Sequence, residues 1–142
     1  DVYKRQESRF ELKIADNVPK SFFADHSRLT QVIRNLIENA LYAGGPQAHV
    51  VAEIAAVQRD SLETPAVTIS ISDNGIGVPK EQREEIFVPF VTTKTKGTGL
   101  GLAICRRIVE AHDGQIHVGE GQDGGAKFVI SLPRISKRTK SK

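Results

Sequence analysis

Two asparagines in the first third of the chain, Asn35 and Asn39, are spaced so that together they could hold a metal ion. Residues four apart share one face of a helix, so the two amides are expected to lie side by side, next to an apolar stripe. Asparagine is a poor helix former because its amide competes for backbone hydrogen bonds, so this pair needs a reason. An amide oxygen is a hard ligand that suits Mg²⁺, which keeps several waters and uses few protein oxygens. A solvated polar helix edge would account for the same two residues without any ligand.

A carboxylate, Asp73, opens the turn Asp73-Asn74-Gly75-Ile76-Gly77 at the end of a predicted strand. It continues the apolar alternation of that strand, so its side chain is expected to point into the interior. A buried carboxylate is costly unless a donor satisfies it, and the exocyclic amine of a purine is one suitable donor. The glycines would let the backbone approach a flat ligand closely. An ordinary turn is the alternative, because Asp-Asn-Gly is typical turn chemistry.

A third group, Lys94-Thr95-Lys96-Gly97-Thr98-Gly99-Leu100-Gly101, leads directly into a predicted helix. Spaced glycines expose backbone amides and a helix start adds about half a positive charge, so both features suit phosphate. Lys94 could supply a point charge to the outer phosphates. The group is neither the dinucleotide fingerprint nor the common nucleoside-triphosphate loop, because no strand immediately precedes it and no Gly-Lys-Ser/Thr follows. The three groups together suit the three parts of Mg-ATP: metal, base and phosphates.

Strands of a one-faced sheet are needed to position these groups. Apolar residues alternate with polar ones at Phe10, Leu12 and Ile14, which predicts a half-buried strand. Further strands are predicted at about 48–57, 66–73, 115–119 and 126–132. A one-faced sheet needs a helical layer on its apolar side. The predicted fold is therefore α+β, a two-layer α/β sandwich with a mixed, mostly antiparallel sheet and helices on one face.

Two helices supply the second layer. The first is predicted to begin after an N-cap at Asp25 and to stop at Gly44-Gly45-Pro46. Its apolar stripe consists of Leu29, Val32, Ile33, Leu36, Ile37, Ala40 and Leu41. The second helix should follow the glycines, run through about Ala111 and end at Gly114.

Composition excludes several classes of protein. The chain has 142 residues, of which 39% are hydrophobic and 26% charged, as in ordinary soluble domains. Its formal charge of +3 becomes −2 without residues 134–142, which hold five basic residues and no acid. We therefore expect a solvated basic tail and no nucleic-acid partner. No apolar run is long enough to span a membrane, so we expect a cytoplasmic protein, or the cytoplasmic part of a membrane-anchored sensor, without direct membrane contact.

The sequence resembles the ATP-binding catalytic domains of bacterial sensor histidine kinases, in the GHKL or Bergerat-fold superfamily. Residues 24–40 look like their N box, and residues 73–77 look like their first glycine box. Residues 86–94 are similar to the F box and short ATP lid, and residues 97–102 match the second glycine box. Gly124-Gly125 before Phe128 resembles the closing signature. The boxes follow the family order from about residue 10 to residue 133.

The resemblance implies Mg-ATP binding and transfer of the γ-phosphoryl group to a histidine in two-component signalling. It implies that Asn39 binds Mg²⁺, that Asn35 acts near the metal and phosphates, and that Asp73 binds the adenine amino group. Lys94 is the second residue with an expected catalytic role, and Phe87 and Phe90 would anchor the lid. The remaining ATP-binding residues implied by the motifs are Tyr42, Gly75, Ile76, Gly77, Gly97, Thr98, Gly99, Leu100 and Gly101.

Three positions depart from the family pattern. Tyr42 stands where many members have a basic residue, so neutralisation of the phosphates would depend more on Lys94. Ala126 replaces a usual hydroxyl residue, which puts one contact near the adenine in doubt. Val88 stands where glutamate is common and is interpreted as a difference at the lid surface.

Rival functions share the fold. Hydrolytic relatives carry a glutamate that activates water at the first N-box position, and anti-sigma serine kinases tend to carry an acid there. Asn35 cannot be a general base, which favours transfer to a nucleophilic imidazole. A non-catalytic ATP-sensing module, or an ATPase or serine kinase of the same fold, is the alternative.

The domain boundaries follow from the boxes. We expect residues 1–9 to be a linker to a missing histidine-bearing dimerisation domain, residues 10–133 to form the ATP-binding domain, and residues 134–142 to be the tail. That histidine-bearing domain is the expected direct partner, and a response regulator the indirect one. The isolated domain is expected to be a monomer.

Overall fold

A computed structural model describes residues 9–16, 18, 25–57, 66–89, 101–121 and 124–133. It has one five-stranded sheet and two α-helices, α1 (His26–Gly44) and α2 (Gly101–Ala111). Residues 1–8, the tail from residue 134, and most of the glycine-rich group before Gly101 lie outside the described residues. No helix within the described residues has both the length and the apolar character needed to cross a membrane.

The first two strands form a parallel pair around a helical crossover. β1 (Arg9–Ile14) pairs in parallel with β2 (His49–Val57), with Phe10 opposite Val50. α1 connects the two strands, since parallel neighbours need a long crossover rather than a tight turn. Among the described strands β1 lies at the edge of the sheet. The strand itself was predicted correctly, but the prediction that it is half-buried is wrong, because its apolar side chains are 50–60% exposed.

The other three strands are antiparallel. β3 (Ala66–Ser72) pairs with β2 and with β5 (Ala126–Pro133), and β5 pairs with β4 (Gln115–Glu120). The strand order is β1-β2-β3-β5-β4. The predicted α+β sandwich with a mixed, mostly antiparallel sheet is therefore confirmed.

The core lies between the inner face of the sheet and the two helices. Burial alternates along β5, as the period of a strand with one covered face requires. Each apolar side chain that is fully buried contributes about 1.5–3 kcal/mol. The least exposed large side chains are Leu36, Ile71, Ile130, Val32, Val50, Val67, Val109 and Cys105. Leu41, which was predicted on the apolar stripe of α1, is instead 38% exposed in the last turns of the helix.

The start of α1 has the predicted cap. The Asp25 side chain accepts a hydrogen bond from the Arg28 backbone N–H at 3.1 Å, which satisfies one of the free amides of the first turn. At the other end Gly45 has a φ of 67°, and its N–H donates to the Leu41 carbonyl.

The end of α2 differs from the prediction in one respect. Asp113, not Gly114, has the left-handed conformation, with a φ of 62°. The Gly114 N–H donates to the Val109 carbonyl and the Asp113 N–H to the Glu110 carbonyl, which is the Schellman pattern. Gly114 is required for a different reason, because a Cβ there would overlap the Ser131 carbonyl oxygen. The helix ends where predicted, but the residue that turns the chain is an aspartate.

Candidate nucleotide site

Asp73 occupies the interior end of β3, as its place in the alternation predicts. Asp73 is only 5% exposed to solvent. Its backbone N–H donates to the Ala126 carbonyl at 2.9 Å, which continues the pairing of β3 with β5 by one residue. The side-chain Oδ1 accepts from the Gly75 N–H at 2.8 Å and from the Ala126 N–H at 3.2 Å. Among the described residues both bonds fall on Oδ1, so Oδ2 is the oxygen that a ligand could use.

The glycines near Asp73 are required by the protein's own packing. A Cβ on Gly125 would overlap the Asp73 carbonyl oxygen and lie 2.6 Å from its Oδ1. A Cβ on Gly75 would lie 2.6 Å from the Ala43 carbonyl oxygen. Gly77 has a φ of 78°, which few other residues adopt. The sequence suggested that Gly75 and Gly77 leave room for a flat ligand, but the end of α1 and the turn itself already demand them.

Asn74 has a structural role that the sequence did not reveal. Its Oδ1 accepts from the His49 N–H at 2.9 Å, and its Nδ2 donates to the Gln47 carbonyl at 3.2 Å. The amide therefore joins the turn after β3 to the first residue of β2 and to the connection that precedes it. An asparagine in a turn usually bonds its own neighbours, so nothing local in the sequence indicated these distant partners.

Asn35 and Asn39 are both partly buried, one turn apart on the same flank of α1. The Asn35 Nδ2 donates to the Cys105 Sγ at 3.8 Å, so this flank faces α2. The predicted placement of the two amides on one face, beside the apolar stripe, agrees with the structure. Within the described ranges no group of three or more His, Cys, Asp or Glu residues could hold a metal ion, so a metal here would depend on amide oxygen and on the ligand itself.

Cys105 lies behind Asn35 and joins the two helices. Its Sγ donates to the Val32 carbonyl at 3.8 Å and accepts from Asn35. Burial raises the pKa of the Cys105 thiol from its ordinary value of 9.0 to about 11, and the hydrogen bond from Asn35 opposes that rise. The thiol is therefore protonated at neutral pH, as its bond to the Val32 carbonyl requires.

Ile76 and Tyr42 stand at the surface. Ile76 is 94% exposed and Tyr42 is 44% exposed. Ile76 borders a shallow pocket of about 240 Å³, together with Gly77, Arg83 and Glu120. One exposed apolar residue is ordinary on a protein surface, so a role for Ile76 depends on its place in the turn after Asp73 and beside this pocket.

Of the glycine-rich stretch that was predicted to bind phosphate, residues 94–101, the structure describes only the last residue. Lys94, Gly97, Thr98, Gly99 and Leu100 lie outside the described residues, as does Phe90. Gly101 is exposed and is the first residue of α2. Apart from its chain neighbours and the backbone of its own helix, no described atom lies within 4 Å of a Cβ built on Gly101, which contrasts with Gly75 and Gly125.

Phe87 is buried, at 4% exposure, next to the residues that precede the glycine-rich group. Its ring meets that of Phe128 edge to face, with centroids 6.2 Å apart. Arg106 of α2 lies over the Phe87 ring, with the guanidinium carbon 5.0 Å from the centroid. The short 3-10 turns that carry this region, Lys80–Gln82 and Glu85–Phe87, were not predicted.

Comparison with known families identifies this arrangement. Residues 24–136 match the family described as histidine kinase-, DNA gyrase B-, and HSP90-like ATPases. This chain belongs to that family. The resemblance stated from the boxes of the sequence is thereby confirmed, and so is the fold that it implied.

Two solved structures and one curated relative represent this ATPase family. The sensor histidine kinase ZraS of Salmonella typhimurium (strain LT2) is 41% identical over 124 residues, which are 87% of this chain and 26% of that protein. The catalytic domain of the histidine kinase ThkA superposes with a TM-score of 0.78 at 34% identity, covering 94% of this chain and 83% of that one. Full-length ShkA in complex with AMPPNP has a TM-score of 0.77 at 29% identity, covering 94% of this chain and 27% of that one. This chain thus spans about a quarter of the length of ZraS.

Proposed function

We propose that this histidine kinase-type ATPase domain binds Mg-ATP and transfers its γ-phosphoryl group to a histidine on a separate dimerisation domain. The observation that carries the proposal is the carboxylate of Asp73. It is buried, two backbone amides fix its Oδ1, and its Oδ2 is left for a ligand. A carboxylate held in this way can accept a further hydrogen bond on Oδ2, and a nucleotide base can supply the donor.

Adenine fits this carboxylate better than guanine does. The 6-amino group of adenine donates a hydrogen bond, whereas guanine presents a carbonyl oxygen at the same position, which a carboxylate repels. Ile76, exposed beside the turn, would cover one face of the base. Gly75 and Gly77 shape the turn that carries it. The structural relative ShkA was solved in complex with AMPPNP, a nucleotide that has an adenine base.

The phosphates would lie towards the start of α2. A helix N-terminus attracts anions through its free N–H groups, and Gly101, the first described residue of α2, is exposed. Lys94, Gly97, Thr98, Gly99 and Leu100 precede it in the chain and are proposed as further phosphate contacts. Tyr42 is proposed as a contact from the last turn of α1.

Asn39 would hold Mg²⁺ through its amide oxygen, with the phosphates and water as the other ligands. An amide oxygen and phosphate oxygens are the donors that Mg²⁺ prefers, so the residues present fit the ion. Bound there, Mg²⁺ would neutralise charge that develops on the phosphates. Asn35 would orient the nearby phosphate oxygens, and its own amide is oriented by the thiol of Cys105 at 3.8 Å.

Transfer rather than hydrolysis follows from the same flank of α1. Asn35 has no titratable group, so it cannot take a proton from water. Phosphoryl transfer depends mainly on position and on charge stabilisation, so an imidazole that is already nucleophilic needs no general base. This favours a histidine acceptor over water, and Lys94 is proposed to stabilise the charge of the transferred group.

The acceptor histidine is proposed to lie outside this chain. His112 is unsuitable because both ring nitrogens are engaged: Nδ1 donates to the Ile108 carbonyl at 2.8 Å, and Nε2 accepts from the Asp25 N–H at 2.9 Å. We propose residues 10–133 as the catalytic domain and a response regulator as the indirect partner. The catalytic domain is proposed to be monomeric and cytoplasmic, without contact to nucleic acid.

Calorimetric titration with AMPPNP, with and without Mg²⁺, tests the site directly. In Asp73→Asn the side-chain oxygen can keep both backbone bonds, while an amide N–H replaces Oδ2. We expect adenine nucleotide affinity to fall at least about 30-fold and the preference over inosine triphosphate to disappear, because the acceptor has become a donor. Asn39→Ala should abolish the increase in AMPPNP affinity that Mg²⁺ produces and leave the affinity without Mg²⁺ unchanged. If the wild-type chain does not bind AMPPNP at millimolar concentration, the proposal is wrong.

Transfer is tested separately from binding. The wild-type chain, mixed with ATP and a histidine-bearing domain of a sensor kinase such as ZraS, should produce phosphohistidine that is stable to alkali and labile to acid. Binding of ATP without phosphohistidine on any such domain would favour a sensing module. Steady release of inorganic phosphate instead would favour a hydrolase.

A further inference from the structure

The strand β1 presents a row of apolar side chains to solvent. Phe10, Leu12 and Ile14 lie on one face of the strand and are 50%, 57% and 60% exposed. Two of the residues opposite them in β2, Val50 and Ala52, are buried at 0% and 5% exposure. The covered face of the sheet therefore stops at β2, and the apolar surface continues beyond it. Three adjacent apolar side chains form a patch rather than scattered residues, and such patches mark contact surfaces.

The backbone of these three residues points away from β2. The Arg9 N–H donates to the Ala48 carbonyl at 2.8 Å, and the Ala15 N–H donates to the Ile54 carbonyl at 2.9 Å. Successive residues of a strand direct their N–H and C=O groups to opposite sides, so the apolar residues between them direct theirs to the other edge. Among the strands that the structure describes, none pairs with that edge. An apolar edge of this kind is a template for the addition of a strand.

The sequence of β1 is complementary to itself when two copies run antiparallel. With Leu12 opposite Leu12 of the second copy, Phe10 lies opposite Ile14 and Glu11 lies opposite Lys13. Residues directly opposite share a face, so apolar side chains meet on one face and opposite charges meet on the other. All the apolar residues direct their N–H and C=O groups to the shared edge, so in this register they form the hydrogen-bonded pairs of an antiparallel ladder.

Other registers of β1 against itself are less favourable. A shift by one residue places apolar side chains opposite charged ones. A shift by two residues places either Glu11 opposite Glu11 or Lys13 opposite Lys13, and like charges directly opposite are destabilising. The Glu11 carboxylate lies 3.2 Å from the His49 Nε2 within the chain, and the Glu11 side chain is still 46% exposed. It therefore remains accessible to a lysine of a second copy.

We propose that β1 is an interface between two copies of this chain, paired antiparallel about a two-fold axis at Leu12. The two sheets then join into one continuous sheet. A single pair of short strands buries much less than the about 1,200 Å² of a standard stable interface, so the association is weak. The chain is a monomer at micromolar concentration and pairs at millimolar concentration, or when another domain holds two copies together. The inference does not depend on the proposed function, because β2 separates β1 from β3 and Asp73 stays uncovered.

A disulfide at the two-fold axis tests the pairing. The two Leu12 Cα atoms would be about 5.5 Å apart, which a disulfide can bridge, whereas the two Ile14 Cα atoms would be more than about 10 Å apart. Under mild oxidation at millimolar concentration, Leu12→Cys should form a covalent dimer at least about tenfold faster than Ile14→Cys, as measured by non-reducing electrophoresis. The two positions are 57% and 60% exposed, so random collision gives them equal rates, and the native Cys105 is buried. Equal rates would overturn the inference.

Charge exchange tests the register in chains that keep the apolar row. Glu11→Lys alone and Lys13→Glu alone each place like charges opposite one another, so each should weaken self-association about tenfold in sedimentation equilibrium at millimolar concentration. An equimolar mixture of the two variants should associate as strongly as wild type, because opposite charges face each other again. Arg9→Glu changes the charge of the same face as much as Lys13→Glu does, but Arg9 would lie opposite Ala15, so it should have an effect of less than about twofold. A mixture that associates no better than its components, or a wild type that does not self-associate, would show that the inference is wrong.

Discussion

The two ends of the candidate site are built in different ways. The carboxylate end is defined as Asp73, Gly75, Gly125 and Ala126, and the amide end as Asn35, Asn39, Gly101 and Cys105. At the carboxylate end, backbone N–H groups bond the Asp73 carboxylate at 2.8 and 3.2 Å, and its glycines have no room for a side chain. At the amide end, the helices meet through sulfur contacts of 3.8 Å, and within the described part of the chain no residue outside α2 crowds Gly101.

This difference indicates how the two ends would recognise a ligand. The carboxylate end belongs to the sheet, so its geometry is fixed whenever the sheet is folded. The amide end is made by side chains of two helices, which small shifts of either helix can change. In the proposed function, the base would be recognised by a preformed group, whereas the phosphate groups and the metal would be met by groups that adjust.

The largest expected loss of stability comes from a substitution that disrupts the carboxylate end. Gly125→Ala places a Cβ against the Asp73 carbonyl, so the strands must separate, and we expect a loss of about 3 kcal/mol in the free energy of unfolding. Urea unfolding followed by circular dichroism measures it. Gly101→Ala is the matched control at the amide end, where we expect less than about 0.5 kcal/mol. Similar losses in both variants would contradict the distinction between the two ends.

At the amide end, the buried thiol of Cys105 should make the free energy of unfolding depend on pH above pH 9. The unfolded thiol ionises near pH 9.0, whereas the raised pKa of folded Cys105 delays its ionisation until about pH 11. The unfolded state therefore loses its proton first, and stability present below pH 9 should fall between these values by at most about 3 kcal/mol. Urea unfolding at several pH values, compared with Cys105→Ala, isolates this group from lysine and tyrosine titration. If the free energy of unfolding varied with pH in the same way in wild type and in Cys105→Ala, the folded thiol would not have a raised pKa, and the prediction would be wrong.

A smaller effect is expected where the far ends of the two helices meet. His112→Phe removes the bonds to the Ile108 carbonyl and the Asp25 N–H, and we expect a loss of about 1–2 kcal/mol in the free energy of unfolding. His117→Phe, at an exposed position on β4, should change it by less than about 0.5 kcal/mol. The comparison of the two unfolding curves sharpens the view that polar contacts hold the helical layer together. A loss no larger than that of the control would refute it.

Local patterns predicted the elements and the carboxylate end well. Alternation indicated the strands and, extended by one step, the burial of Asp73. The residue spacing of α1 indicated its buried stripe and placed Asn35 and Asn39 together. Asp25 was recognisable as a cap because its side chain bonds an amide only three residues away. Each of these features depends on neighbours in the chain.

Features that depend on distant contacts were not predictable. Nothing near Asn74 indicates that its partners are Gln47 and His49, just before β2 and at its start, 27 and 25 residues away. An arginine such as Arg106 is common at the surface of a helix, so its residue type indicated nothing. Its contact with Phe87 joins residues that are distant in the sequence and forms only in the folded chain. The left-handed Asp113 was missed because the glycine beside it was the more obvious candidate. The crowding around Gly75 likewise arises from a helix end that only the fold brings close.

The edge position of β1 has a consequence for hydrogen exchange. Among the strands that the structure describes, β1 has a paired neighbour on one side only, and the exposure of its apolar side chains ranges from 50% at Phe10 to 60% at Ile14. It can therefore detach without exposing the buried residues of β3 and β5. Amide protons of β1 should exchange through local opening, while those of the two central strands should exchange only when the whole domain unfolds. The strand β1 by itself, without the helix that follows it, would then be the first part of the sheet to open and the last to close.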